Sequence, residues 1–257
     1  MSGSSLQCLN ALPFTLRDGT HVLLRPVLPD DRERIESGMA ALSGDSRYSR
    51  FFTTAARLSN EQVRYFSEVD QQSHVAWIAL AASVPNHPGL GIARFVRSNE
   101  DPNMAEVAFT VIDAHQNKGL GTILLAVLYV MAQPRGVQVL RAIVLTENTR
   151  VIKWLRSLGA TESWSHDECR LDLSVQPSVH AFRTKSGESF RQAVGAVQAL
   201  VTTPAAVSRF SQDLVGCPSR FASQNNEKCD GRESSSCQKR GRRTVCSPEC
   251  AGQNARQ

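Results

Sequence analysis

Residues 105–131 constrain the fold more than any other part of this chain, because they run from a β-rich segment through a glycine turn into an amphipathic one. Ala105-Glu106-Val107-Ala108-Phe109-Thr110-Val111-Ile112 is rich in β-branched and aromatic residues and stops at Asp113, as a strand does. Leu120, Ile123, Leu124, Val127, Leu128 and Met131 recur at the i, i+3, i+4 spacing of one helix face. Between them lies Gln116-Asn117-Lys118-Gly119-Leu120-Gly121-Thr122. Glycine at a helix start admits a ligand close to the backbone, and the unpaired N–H groups and positive dipole end there favour a diphosphate. The unit predicts an α/β chain with a nucleotide-like cofactor.

Two familiar phosphate-binding turns fail on spacing. A P-loop requires G-x-x-x-x-G-K-[ST], and no Gly-Lys-Ser/Thr occurs. A dinucleotide fingerprint requires G-x-G-x-x-G, and Gly119-Leu120-Gly121-Thr122-Ile123-Leu124 lacks the third glycine. What remains, Q-x-x-G-x-G, resembles the acetyl-CoA signature ([QR]-x-x-G-x-[GA]) of the GNAT family of N-acetyltransferases. The bare hexapeptide also suits an ordinary Gly-rich strand-to-helix turn, so the surrounding order of elements carries the distinction.

That order follows the family. His21-Val22-Leu23-Leu24-Arg25-Pro26-Val27 is a strand with the family's hxLRPh opening. Pro29-Asp30-Asp31 starts a helix capped by Asp30, with Ile35, Met39 and Leu42 inward. Ser59-Asn60-Glu61-Gln62 has capping-box spacing, and Val63 and Phe66 follow on the inner face of a second helix. Residues 75–82 and 90–97 form a hairpin about Asn86-His87-Pro88-Gly89. Residues 137–145, apolar on both faces, predict a central strand. Asn148 and Thr149 open a helix with Val151, Ile152, Leu155 and Leu158 inward and Gly159 as its stop, and residues 161–164 and 169–175 supply closing strands.

The resemblance, over about residues 14–175, implies a GNAT fold of the α/β (α+β) type: a central mixed, mostly antiparallel sheet flanked by helices. It implies acetyl-CoA as co-substrate and no metal. Carried over by position, the main chains of Phe109 and Val111 hydrogen-bond the pantetheine arm and acetyl carbonyl. Gln116, Asn117, Lys118, Gly119, Leu120, Gly121 and Thr122 wrap the pyrophosphate, with Lys118 either adding charge or standing as a solvated loop lysine. Asn148 binds the pantetheine region, caps its helix, or does both. Glu106 stands where many members carry a catalytic carboxylate and is the candidate general base. The alternative for Glu106 is a solvent-facing glutamate, or one paired with an arginine such as Arg94. The family's usual tyrosine acid, seven residues after the asparagine, is replaced by Leu155, with Trp154 beside it.

Ser43-Gly44-Asp45-Ser46-Arg47-Tyr48-Ser49-Arg50-Phe51-Phe52 resembles a segment of the bacterial protein-lysine acetyltransferase branch. The expected acceptor is therefore a protein lysine, with small-molecule amines as the runner-up. The missing tyrosine keeps open a different class, a domain that binds acetyl-CoA without turnover and reports its level to a partner.

Composition divides the chain. Residues 1–175 hold 17 Lys+Arg against 18 Asp+Glu, a net of −1, while residues 176–257 hold 12 against 6, a net of +6. The basic character belongs to the tail, so a nucleic-acid enzyme is not indicated, and at most the tail touches polyanions weakly. The expected organisation is a flexible N-terminus (1–13), the acetyltransferase domain (14–175) and a mostly disordered basic tail (176–257). Within that tail Phe190, Val194, Val197 and Val201 mark a candidate helix over 189–201, expected to be marginal and solvated rather than docked. Five of the seven cysteines (Cys217, Cys229, Cys237, Cys246, Cys250) lie in the tail at spacings unlike paired zinc knuckles. The opening residues lack the basic and apolar regions of a secretory signal, and no run of about 18 apolar residues spans a membrane. The expected compartment is the cytoplasm, with reduced thiols.

Overall fold

A computed structural model describes residues 11–51, 55, 57–165, 168–175 and 184–202. Eight strands form one sheet: β1 (Leu12–Thr15), β2 (His21–Pro26), β3 (His74–Ala81), β4 (Gly89–Arg97), β5 (Met104–Val111), β6 (Val139–Leu145), β7 (Thr161–Ser165) and β8 (Glu168–Ser174). Their order is β1-β2-β3-β4-β5-β6-β8-β7. Every neighbouring pair is antiparallel except β5 and β6. The sheet is mixed and mostly antiparallel, as the family resemblance implies.

Six helices cover it: α1 (Arg32–Ala40), α2 (Gly44–Phe51), α3 (Asn60–Ser67), α4 (Leu120–Ala132), α5 (Thr149–Ser157) and α6 (Lys185–Val201). The larger core joins α4, α5 and α6 to one face of the sheet through Leu124, Leu128, Ile152, Leu155, Phe190 and Val194. A smaller core on the other face gathers Val27, Ile35, Ala76 and Ile78, with Phe66 and Ile92 against it. The capping box at α3 forms as its spacing predicts: Ser59 N–H donates to Gln62 Oε1 at 2.9 Å, and Gln62 N–H to Ser59 Oγ at 3.2 Å.

Four expectations need correction. Leu12 and Pro13, assigned to the flexible N-terminus, belong to β1 and pair with Leu24 and Leu23 of β2. The α1 region is organised by Asp31, not by Asp30. The Asp31 carboxylate is fully buried, accepts the Leu28 N–H at 2.9 Å and takes both Arg25 guanidinium nitrogens at 2.6 Å. Residues 44–51, to which the sequence reading gave no element between its first and second helices, form α2. Its first turn is tied to the end of β5, because Asp113 accepts the Ser43 N–H and hydroxyl at 2.9 Å and the Ser46 hydroxyl at 2.8 Å.

The fourth correction concerns α6, which is longer than expected and docked. Thr184 caps it, accepting from Gly187 N–H at 3.0 Å and donating to the Ser157 carbonyl at 2.6 Å. Phe190, Val194 and Val197 are fully buried, and the Phe190 ring meets Tyr129 of α4 edge-on at 5.4 Å. This explains why α4 is buried all round from Leu124 to Ala132: one side faces the sheet and another faces α6. Truncating Phe190 to Ala is expected to destabilise the domain by about 3–5 kcal/mol, read as a lowered denaturation midpoint. A solvated α6 would leave that midpoint unchanged.

No described helix is long and apolar enough to cross a membrane. Residues 203–257, with all five tail cysteines, lie outside the described residues. Cys169 is described, and it is buried and free.

Candidate active site

The parallel pair opens the site. β5 and β6 pair only from Met104↔Val139 to Val107↔Ala142, although β5 continues to Val111 and β6 to Leu145. Beyond Val107 the two strands leave a gap, and β5 keeps its pairing only with β4. Ile112 N–H donates to the Leu90 carbonyl, so the two-residue alternation of a strand turns the main chains of Ala108 and Thr110 toward β4. Those of Phe109 and Val111 turn into the gap. The Val111 carbonyl is already taken by Gln116 Nε2 at 3.1 Å, which leaves the Val111 N–H and both Phe109 main-chain groups for a ligand.

The gap widens into a cleft of about 680 Å³ that runs to the start of α4. Gly119 precedes α4 with φ 95°, a left-handed conformation that glycine adopts without strain. The N–H groups of Leu120, Gly121 and Thr122 are too early in α4 to find carbonyls in the helix, and no other acceptor among the described residues takes them. Gly119, Gly121 and Thr122 line the cleft, as do Gln116 and Asn117.

The individual side chains divide. Leu120 is 1% exposed and packs into the core, so it offers only its N–H. Lys118 turns away from the cleft and pairs with Asp18 at 2.8 Å. The Lys118 ammonium, with the Thr20 hydrogen bonds, holds the Asp18 carboxyl below the ordinary carboxylate range. Gln116 is a brace: its Nε2 reaches Ser46 Oγ at 3.2 Å as well as Val111, and its Oε1 accepts from Arg150 at 2.9 Å. Asn148 caps α5, accepting the Val151 N–H at 3.3 Å, and also lines the cleft. Trp154 lines it too, with its ring edge-on to Phe109 at 5.4 Å.

Three cations line the cleft, Arg17, Arg50 and Arg150, and the sequence reading named none of them as a cofactor contact. Arg17 lies against Gly119, where an added Cβ would stand 3.6 Å from its Nε, and Arg150 stands on the first turn of α5. The sequence reading gave neither Arg17 nor Arg150 a role, and only the fold brings them to the start of α4. Arg17 also donates to Ser189 of α6 at 3.2 Å, and Ser186 of the same helix lines the cleft.

Glu106 is exposed and lines the cleft on the sheet face that carries α1, α2 and α3. Register pairs Glu106 with Val96, Ala108 with Arg94, and Thr110 with Ile92. The sequence alternative of a Glu106–Arg94 pair is not what forms. Arg94 is 5% exposed, lies 4.2 Å over the Phe66 ring and meets His74 Nε2 at 3.2 Å. Burial, then the like charge of Arg50, lowers the Arg94 pKa to about 9, and burial with Arg94 nearby lowers His74 to about 4. Leu155, at the family's tyrosine position, is 2% exposed in the core, and no tyrosine is among the residues lining the cleft.

Known proteins resemble this chain in sequence and shape. The family profile described as acetyltransferase (GNAT) domain matches residues 21–161. Acetyltransferase Pat of Mycolicibacterium smegmatis is 38% identical over 152 residues, covering 59% of this chain and 45% of that protein. An acetyltransferase of Pseudomonas aeruginosa is 31% identical over 122 residues, covering 48% of this chain and 65% of that one. The chain therefore spans less than two thirds of either relative. The crystal structure of the GNAT domain of S. lividans PAT matches with a TM-score of 0.59 at 31% identity, covering 64% of this chain and 96% of that domain.

Proposed function

Because the chain belongs to the GNAT acetyltransferase family, matched over more than half its length, we propose that it transfers the acetyl group of acetyl-CoA to a protein lysine, with Glu106 as general base. The observation that carries this reading is the continuous path of unpaired main-chain groups, from Phe109 and Val111 in the β5–β6 gap to the amides of Leu120, Gly121 and Thr122. A pantetheine arm fits the first group and a diphosphate the second, with Arg17 and Arg150 beside it.

Acetyl-CoA supplies the thioester carbon. A lysine amine, ordinarily protonated with a pKa near 10.4, becomes a nucleophile when Glu106 takes its proton, directly or through a water. The nitrogen then bonds to that carbon while the carbon–sulfur bond breaks and the thiolate departs. The Phe109 and Val111 N–H groups face the gap where the carbonyl oxygen gains charge. A coenzyme A thiol titrates near the ordinary thiol value of about 8.5, so its thiolate leaves without a tyrosine acid. The exposure of Glu106 at an open cleft suits a lysine carried on another protein's surface.

The core position of Leu155 favours a second reading, an acetyl-CoA-binding domain without turnover. Thiol release from acetyl-CoA with a panel of lysine peptides and small amines separates the two. Amine-dependent release supports the transferase, and tight acetyl-CoA binding without release from any amine supports the regulator.

A further inference from the structure

Arg50 and Arg94 have no role in acetyl-CoA binding or proton removal as described above, yet Arg94 is costly to place where it is and Arg50 lies half-buried beside it. Neither forms an ion pair among the described residues. Arg94 is nearly enclosed, and the Arg50 Nε is buried with no hydrogen-bond partner among the described residues. The two guanidinium groups are close enough for the charge of one to perturb the other. Glu106 is the acidic group whose field reaches Arg50, and it stays beyond ion-pair distance. Aromatic contacts with Phe66 and Phe51 offset part of the cost. They do not supply an anion for the buried Arg94 and its half-buried like-charged neighbour Arg50.

Both arginines line a pocket of about 50 Å³ between the sheet and α1–α3, whose other walls include Ile35, Met39, Phe66 and Ile92. Thr110 also lines it, and its buried Oγ1 has no partner among the described residues. Arg34, on the same wall, is already held by Asp31 and the carbonyls of Asn86 and His87. The pocket has room for a group of a few heavy atoms and no more. Arg50 and Thr110 line the acetyl-CoA cleft as well, so the pocket opens onto the transfer site. By register Arg94 faces Ala108, one diagonal step from both Glu106 and Thr110, a separation of about 7–8 Å between backbones.

We propose that this pocket receives a carboxylate of the acceptor, held by Arg50 and Arg94 with the Thr110 hydroxyl as a further donor, while the acceptor's amine stands at Glu106. A planar carboxylate matches the forked donors of guanidinium, which a pocket with otherwise nearly all-apolar walls does not itself satisfy. The proposal rests on the acetyl-transfer reading and narrows its substrate class to amines with an acid within side-chain reach. That acid is either the α-carboxylate of a free diamino acid or an Asp or Glu beside the acceptor lysine in a protein.

The test uses the full chain with acetyl-CoA and two matched acceptor pairs. One pair is a lysine peptide with Asp next to the lysine against the same peptide with Asn; the other is free lysine against cadaverine. At least one pair is expected to differ tenfold or more in kcat/KM in favour of the carboxylate, and the pair that does so identifies its source. Arg50→Gln is expected to bring that ratio below twofold, and Thr110→Val to reduce it without unfolding the strand. Glutarate, a dicarboxylate without an amine, serves as a turnover-independent probe by calorimetry. Glutarate binding that Arg50→Gln removes upholds the pocket even where no amine is acetylated, in which case the transferase reading fails alone. Turnover that ignores the carboxylate in both pairs, or no glutarate binding together with such indifference, overturns the proposal.

Discussion

Glu106→Gln is expected to lower kcat by about a hundred- to a thousandfold while leaving the dissociation constant of acetyl-CoA unchanged. Glutamine keeps the length and hydrogen-bonding shape of glutamate and removes only the ability to accept a proton at neutral pH. Glu106 is exposed at the cleft, and no hydrogen bond or ion pair of the described residues depends on it, so the fold has no reason to change. The two readouts are steady-state thiol release and calorimetric acetyl-CoA binding. The defect is further expected to shrink as pH rises toward the amine's own pKa near 10.4, because a free amine no longer needs a base. A variant that loses less than about threefold at neutral pH removes Glu106 from the chemistry and leaves the base unassigned.

Gly121→Glu is expected to weaken acetyl-CoA binding by at least about a hundredfold without lowering stability. An added Cβ at Gly121 meets nothing within 4 Å, and the residue lies in the first turn of α4 and lines the cleft. A carboxylate at a helix N-terminus is favourable to the helix, by about 0.3–1 kcal/mol. The same carboxylate beside a diphosphate is a like-charge contact that costs several kcal/mol, and about 2.7 kcal/mol is already a hundredfold. Gly121→Ala adds the carbon without the charge and separates bulk from electrostatics. Unfolding melts and calorimetry on both variants decide the matter. Tight binding of acetyl-CoA by a folded Gly121→Glu chain places the diphosphate elsewhere.

Much of the molecule is legible where its signals are local. The β5 strand, the Gly119 turn, the α4 stripe and the Ser59–Gln62 capping box are each written within a dozen residues, and each forms. What escapes reading depends on contacts distant in sequence. The helix α2 has no apolar stripe of its own to mark it, and its start is held through Ser43 and Ser46 by Asp113, some seventy residues away. Asp31 and Asp30 are interchangeable as caps until Arg25 arrives from β2 to claim one of them. Arg17 reaches the start of α4 from the β1–β2 connection, and Lys118 is drawn into a pair with Asp18.

One missed feature did have a signal. Leu125, Ala126, Tyr129, Val130 and Ala132 make α4 apolar well beyond a single stripe. A helix apolar all round needs a second cover, and the apolar face of α6 is that cover. The pairing was readable in principle from two segments considered together, but from neither alone. Arg50 and Arg94, without ion pairs among the described residues, had no such signal, since a sequence does not disclose which charges lack a counter-ion.

The central claim is that the amides of Leu120, Gly121 and Thr122, with Arg17 and Arg150, grip a diphosphate at the end of the β5–β6 gap. Calorimetric titration with acetyl-CoA and with acetyl-pantetheine, which carries the same thioester arm without the diphosphate, tests it most directly. The account predicts saturable binding of acetyl-CoA and binding of acetyl-pantetheine weaker by at least about a hundredfold. Equal affinity for the two, or no binding of acetyl-CoA, would contradict it.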